Sequence, residues 1–379
     1  MTLTQLAVVG AVALLGPLLA APRRWHLPVV LGELVAGVLL GRTLLGYLDA
    51  SDPTFTFLAD LGFALVMFVA GTHVPVRDPQ IRRAFGAGVA RALVVGIAAV
   101  VVGVALARVT GTGHGALYAV LLASSSAALV LPVVDSLGLG GAQVIALLPQ
   151  VAIADTVCIV ALPLAVDPDH ALRAAGGAAL VVLAAAVVFV LFRAGERRGW
   201  RQRVHDVSEE RLFAVELRVQ LAVLFALAAL AARSHVSIML AGFTFGLAVA
   251  GVGEPRRLAK QLFAVTDGFL APVFFVWLGA DLDLRELGEH PRMTALGLAL
   301  GAGAVLTHLV ATALRQPASL GLLAAAQLGV PVAAATIGSR LGVLEPGEAA
   351  ALVLGAVVTI VAAVVGGGVA ARSGVAPGD

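Results

Sequence analysis

Charge is what this sequence has least of. Acidic and basic residues together fill only 13% of its 379 positions, about half the share of a soluble globular chain. So little polar material cannot cover a water-facing surface of that size, which excludes a soluble protein. Lysine is nearly missing, with Lys260 standing beside 24 arginines, and the net charge of +2 gives no field for a nucleic-acid partner. Cysteine occurs once, at Cys158, so no internal disulfide can form and the redox compartment stays open. Also missing are a phosphate-cradling Gly-x-x-x-x-Gly-Lys, a Cys/His metal cluster and a Gly-x-Ser-x-Gly elbow. Neither enzymatic activity nor a cofactor is therefore expected.

What is present is apolar. Hydrophobic residues make up 60% of the chain and mean hydropathy is +1.01. The apolar runs are continuous rather than alternating. Many are 17 to 25 residues long, enough to cross ~30 Å of hydrocarbon as helices. Thirteen candidate spans lie at roughly 3–20, 27–41, 55–72, 84–107, 114–136, 142–164, 171–192, 211–231, 235–251, 259–280, 292–313, 317–339 and 347–369. The expected fold class is an all-α polytopic membrane protein. Its single membrane domain covers 1–379, with no soluble regulatory domain. Residues 1–21 imitate a signal peptide, but no basic residue precedes the run and Arg23-Arg24 follow it, so a retained first helix is expected. Sixteen basic residues fall on one side of this layout and seven on the other. By the positive-inside rule the N-terminus is outside and the C-terminus cytoplasmic.

A weak internal echo suggests duplication. Leu31–Gly41 in the second span resembles Leu240–Ala250 in the ninth, and Phe68–Gly71 in the third resembles Phe275–Gly279 in the tenth. The step of seven helices is odd, so the second copy is inverted, an arrangement common in secondary transporters. The repeats become 1–164 and 211–370, joined by a linking helix at 171–192. In that register span 5 pairs with span 12. Span 5 carries Ser124-Ser125-Ser126 and Pro132, and span 12 carries Gln327-Leu328-Gly329-Val330-Pro331. Both are expected to be broken helices, since proline removes a ladder bond and serine competes for backbone partners.

One carboxylate stands out. Asp155 lies in the middle of span 6, where the insertion cost is ~2.5–3.5 kcal/mol, and no Lys or Arg shares its span. Hydrocarbon favours the neutral form of such an acid, so a proton and a small cation compete for it. Ser124, Ser125 and Ser126 add hydroxyls, and an unwound turn frees carbonyls, a set of hard oxygens suited to Na⁺ or K⁺. Taken singly, each serine reads as bonding back to its own helix. Thr156, Gln327, His308 and Glu33 are supporting candidates. Glu33 lies in span 2, where a bond across a subunit or domain interface is expected. His308 is the histidine inside span 11, where a packing role competes. Asp135, Asp281 and Asp283 read as solvated ends.

Four stretches together resemble the monovalent cation:proton antiporter-2 family of bacterial Na⁺/H⁺ and K⁺/H⁺ exchangers. They are Leu27–Gly41, Leu58-Ala59-Asp60-Leu61-Gly62 leading to Phe68–Gly71, Ser124-Ser125-Ser126-Ala127, and Phe274-Phe275-Val276 leading to Gly279 and Asp283. The resemblance implies inverted repeats with two crossed, discontinuous helices on spans 5 and 12. It implies a core of spans 4–6 and 11–13, and a dimerising part of spans 1–3 and 8–10. It places the ion-binding aspartate on Asp155 and implies elevator-type movement in a homodimer in a prokaryotic inner membrane, serving pH homeostasis. Two departures matter. Ala154 stands where relatives often carry a polar or acidic residue, so a single carboxylate implies electroneutral exchange, one cation for one proton. A lysine found before the second broken helix in some relatives is missing, and His308 is the nearest candidate. The rival readings are a sodium-coupled symporter of an organic anion and a non-transporting membrane sensor.

Overall fold

A computed structural model of the chain describes residues 1–21, 29–72, 74, 79–168, 171–198, 214–234, 236–253 and 256–373. All regular structure among them is helical. Most of the expected arginine-rich loop, including Arg201, Arg203, Asp206, Glu209 and Glu210, lies outside the described residues, as do Arg23, Arg24 and the side chains of Pro132 and Asp135. Ten of the described helices are long and apolar enough to cross a membrane. Three shorter apolar helices accompany them, at Val29–Leu40, Gly115–Leu131 and Ile238–Val252. The chain is a multi-pass membrane protein.

The helices are α1 (Leu3–Ala13), α2 (Leu15–Ala20), α3 (Val29–Leu40), α4 (Pro53–Thr72), α5 (Pro79–Thr110), α6 (Gly115–Ala123), α7 (Ala127–Ser136), α8 (Ala142–Val166) and α9 (Ala171–Arg197). They continue as α10 (Val215–Arg233), α11 (Ile238–Val252), α12 (Arg256–Val265), α13 (Ala271–Asp281), α14 (Leu284–Glu289), α15 (Pro291–Leu309), α16 (Ala318–Ala324), α17 (Gly329–Leu341) and α18 (Glu348–Arg372). Some expected boundaries shift. Span 4 becomes a helix of 32 residues, about 48 Å long, which extends beyond the apolar run into an arginine-bearing first turn. Span 10 is interrupted by a π-helical turn, Thr266–Leu270. Beyond it, Asp281 pairs with Arg42, and Asp283 caps the unexpected short helix α14 by accepting the Arg285 N–H at 3.0 Å.

The helices pack as two bodies. In one, α3 packs on α13 and α4 on α11 and α13. In the other, α5, α6 and α8 pack together, α15 packs on α5, α6 and α18, and α16 and α17 each pack on α18. Helix α9 touches both α8 and α11. Glycine sets the spacing in the first body. A Cβ on Gly37 would lie 2.8 Å from Gly279 Cα, and one on Gly246 2.8 Å from Gly71 Cα. The echo aligns Gly37 with Gly246 and Gly71 with Gly279. The α3–α13 contact and the α11–α4 contact are thus copies of one close approach, as small-residue interfaces in membranes allow.

At one end of the second body, the loop before α6 meets the start of α18. Glu348, fully buried, binds His114 Nδ1 at 2.7 Å and accepts the Tyr118 hydroxyl at 2.6 Å and the Glu345 N–H at 2.8 Å. The Glu348 carboxylate beside His114, with Glu345 nearby, holds the histidine's pKa above its ordinary value of 6.5. A raised folded-state value means the stabilisation is complete below about pH 6.5 and is lost as pH rises through the raised value. Because His114 is partly exposed, the effect is small, on the order of 1–3 °C in unfolding temperature. Thermal unfolding of the purified protein from pH 6 to pH 9 should show that decline, and His114→Gln should flatten it.

Candidate functional site

Span 5 breaks where the serines stand. Helix α6 ends at Ala123, Ser124 to Ser126 are non-helical, and α7 starts at Ala127. The break is made by the serines, not by proline, since α7 runs through position 132. Span 12 breaks as well, slightly earlier than its Gly329–Pro331 motif suggests. Helix α16 ends at Ala324 and α17 starts at Gly329. Pro331 falls in the first turn of α17, where a missing N–H costs nothing.

The two breaks cap each other. Ser125 Oγ donates to the Ala324 carbonyl at 2.6 Å, closing the end of α16. In return Gln327 Nε2 donates to the carbonyls of Leu121 at 2.7 Å and Ser124 at 3.2 Å, closing the end of α6. Thr307 of α15 donates to the Leu122 carbonyl at 3.1 Å. The negative end of α6 is therefore served by neutral donors, an amide and a hydroxyl. Leaving these buried carbonyls unmet costs about 1–3 kcal/mol each.

Asp155 sits on α8 beside the start of α7 and is 6% exposed. Its Oδ2 accepts the Ala127 N–H at 3.0 Å, so the carboxylate faces the positive end of a half-helix. No described residue donates to Oδ1. The second break has a counterpart that sequence reasoning missed. Thr359 on α18 is fully buried, and its Oγ1 accepts the Gln327 N–H at 3.2 Å. In the inverted register α18 pairs with α8, so Thr359 holds the second break as Asp155 holds the first, without the charge. A lone threonine in Val357-Val358-Thr359-Ile360 gives no local signal; only pairing spans 6 and 13 points to it. Thr359→Val should cost about 1–3 kcal/mol by orphaning a buried N–H, read as a lower unfolding temperature. An unchanged temperature would mean that this N–H has another acceptor.

The other candidates divide. Ser124 Oγ turns back to the Leu121 carbonyl of its own helix at 2.8 Å. Ser126, buried, opens α7 with its carbonyl accepting the N–H groups of Leu129 and Val130. Gln327 is at the crossing. Thr156 bonds within α8, to the Ala152 carbonyl at 2.7 Å. His308 is buried with Nδ1 on the Ala304 carbonyl of its own helix at 2.9 Å; its neighbour Thr307 is the residue that reaches the crossing. Glu33 is buried on α3 against Gly16 of α2, in the body that does not contain the breaks.

Two discontinuous helices that cap each other beside a buried carboxylate are an arrangement that secondary transporters use for mid-membrane sites. The chain belongs to the transmembrane sodium/hydrogen exchanger family, whose model matches residues 10–371. It is 23% identical to the putative Na(+)/H(+) antiporter YjbQ of Bacillus subtilis over 94% of this chain, and spans 61% of that relative's length. It is 23% identical to the probable Na(+)/H(+) antiporter 3 of Methanocaldococcus jannaschii over 85% of both chains. It is 24% identical to the Na(+)/H(+)-K(+) antiporter GerN of Bacillus cereus, over 75% of this chain and 72% of that one. Among solved structures it resembles the sodium proton antiporter MjNhaP1 of Methanocaldococcus jannaschii. There the TM-score is 0.68 at 16% identity, covering 98% of this chain and 96% of that one. A second structure of the same protein gives 0.62 over 97% and 95%. At that identity the likeness is one of fold.

Proposed function

We propose that this protein exchanges Na⁺ for H⁺ across a prokaryotic plasma membrane, with Asp155 as the exchange carboxylate. The observation that carries the reading is Asp155 Oδ2 held by the Ala127 N–H inside the break. One oxygen is fixed by backbone and the other is left for cargo. Protonated, the acid is neutral. Ionised, it offers charge to a cation that gains neutral oxygens from the serine hydroxyls and the carbonyls of the two breaks. Binding of the two ligands is mutually exclusive, which is the minimum requirement for antiport.

With Ala154 beside it, Asp155 exchanges one proton for one cation and the cycle moves no net charge. Sliding of the body that holds the breaks against the body built on the glycine contacts would open Asp155 to each side in turn. K⁺ is an alternative cargo, since the ligand set is all oxygen. We assign the N-terminus to the outside, the C-terminus to the cytoplasm, and a homodimer as the assembly.

The test is purified protein in liposomes carrying an imposed pH gradient and a fluorescent pH reporter. Adding Na⁺ should dissipate the gradient, with K⁺ and Li⁺ ranking the selectivity. No response to any of the three cations rules out exchange. A rate that follows an imposed membrane potential rules out the one-for-one stoichiometry.

A further inference from the structure

The Leu58-Ala59-Asp60-Leu61-Gly62 motif contains an acid that the exchange reading leaves unused. Gly62 is explained by packing, because a Cβ there would lie 3.0 Å from the Leu270 carbonyl carbon and from Phe274 Cβ. Asp60 is not. It lies on α4, in the body built on the glycine contacts, and its Oδ1 accepts Nη2 of Arg340 at 2.9 Å. Arg340 lies in the last turn of α17, a half-helix of the other body.

This contact differs from the others of its kind. Four ion pairs join described residues to one another. The Met1 amino group with Asp52, and Arg42 with Asp281, lie within the body of α3 and α4; His114 with Glu348 lies within the body of the breaks. Arg340 with Asp60 crosses between them. Elsewhere the meeting of the bodies is soft. At Gly329, the first residue of α17, the space for a Cβ is bounded by Met67 Cε at 3.3 Å and Met239 Sδ at 3.9 Å. Methionine side chains repack at little cost, whereas the glycine contacts within the first body fix backbone against backbone. Near Arg340 the packing is also open. A cavity of about 220 Å³ separates Ile337 and Leu341 of α17 from Ser237 at the start of α11, with Asp167 and Arg173 at its wall.

We propose that Asp60 and Arg340 form a reversible latch between the two bodies, closing their seam at the α17 end in the arrangement seen here and opening once in every cycle. The inference rests on the sliding movement proposed above. A slip of a single helical turn, ~5.4 Å, breaks a contact of 2.9 Å. Both side chains are partly exposed, Asp60 at 28% and Arg340 at 47%, so the bond is weak enough to open thermally. Its partners are a planar fork and a carboxylate, so it reforms in one geometry. Asp60 and Arg340 are thus positioning residues, acting on where Asp155 is presented.

The latch can be read without transport. Spin labels at Phe57 and Leu341, both largely exposed (61% and 53%), report the separation of α4 and α17 while leaving the pair intact. Pulsed dipolar spectroscopy in liposomes with Na⁺ should give two distances, the shorter one dominant. In Asp60→Asn and in Arg340→Gln the ratio of short to long should fall by roughly 2–5-fold, as expected for a weak exposed pair. The charge-swapped pair, Asp60→Arg with Arg340→Asp, should restore it. One distance in every protein, or a ratio that neither variant alters, overturns the latch. Proton-flux measurements on the same samples separate the two ideas. A protein that shows two latch-dependent distances but no cation-driven flux retains the latch and loses the exchange reading. A protein that exchanges with an unaltered ratio does the reverse.

Discussion

Asp155→Asn should abolish cation-driven proton flux while leaving the fold intact. The substitution keeps the shape of the side chain, and an amide oxygen can still accept the Ala127 N–H that Asp155 accepts at 3.0 Å. What disappears is the ability to take up and release a proton and to offer a full charge to a cation. The expected loss in the liposome assay is at least ~100-fold, to the level of empty liposomes. That corresponds to ~2.7 kcal/mol or more in the transport barrier. Stability should stay level or rise, because a neutral amide is cheaper to bury than a carboxylate. The two readouts therefore move apart. Flux that persists in the variant removes Asp155 from the mechanism, and a variant that fails to fold makes it a structural residue. Asp155→Glu keeps the charge but adds a methylene at a buried position, so partial flux is expected there.

The largest effect on stability is expected at a glycine. In Gly246→Val the new Cβ would stand 2.8 Å from Gly71 Cα, well inside the 3.5–4.0 Å of carbon contact. Both atoms belong to helix backbones, so no rotamer change relieves the overlap and α11 must leave α4. The cost should exceed the ~1–3 kcal/mol of ordinary overpacking, and the folded yield after detergent extraction should fall several-fold. Gly37→Val should behave alike, since its contact with Gly279 is the copy of this one. Gly96 on α5 is the control, with no atom within 4 Å of its Cβ position. Gly96→Ala should be neutral or slightly stabilising, because alanine is the better helix former. Equal yields for Gly246→Val and Gly96→Ala would show that the close approach does not hold this body together.

Much of the architecture was legible because a membrane imposes simple rules. Span length, hydropathy and the breaks at Ser124 and Gln327 follow from backbone groups that have no partner in lipid. The mid-span position of Asp155 is readable for the same reason, as is the pairing of Gly37 with Gly246 through the echo. The roles inside the site were less legible. The serines looked like one group, yet Ser125 caps the opposite half-helix, Ser124 turns back on its own, and Ser126 opens the next. His308 was the nearest candidate for a lysine that some relatives carry; its Nδ1 bonds the Ala304 carbonyl of its own helix, while the end of α6 is served by Gln327 and Thr307.

The sequence by itself therefore determined a polytopic helical bundle with two interrupted helices and an acid in the middle of a span, because burial in hydrocarbon penalises every departure from helix and every charge. Only the tertiary structure decided which atoms meet. A hydroxyl at one break can cap its own helix or the opposite one at nearly equal local cost, and only the crossing of α6–α7 with α16–α17 selects between them. The same holds for Thr359, Asp60 and Arg340. Each takes its meaning from a partner 32 or 280 residues away.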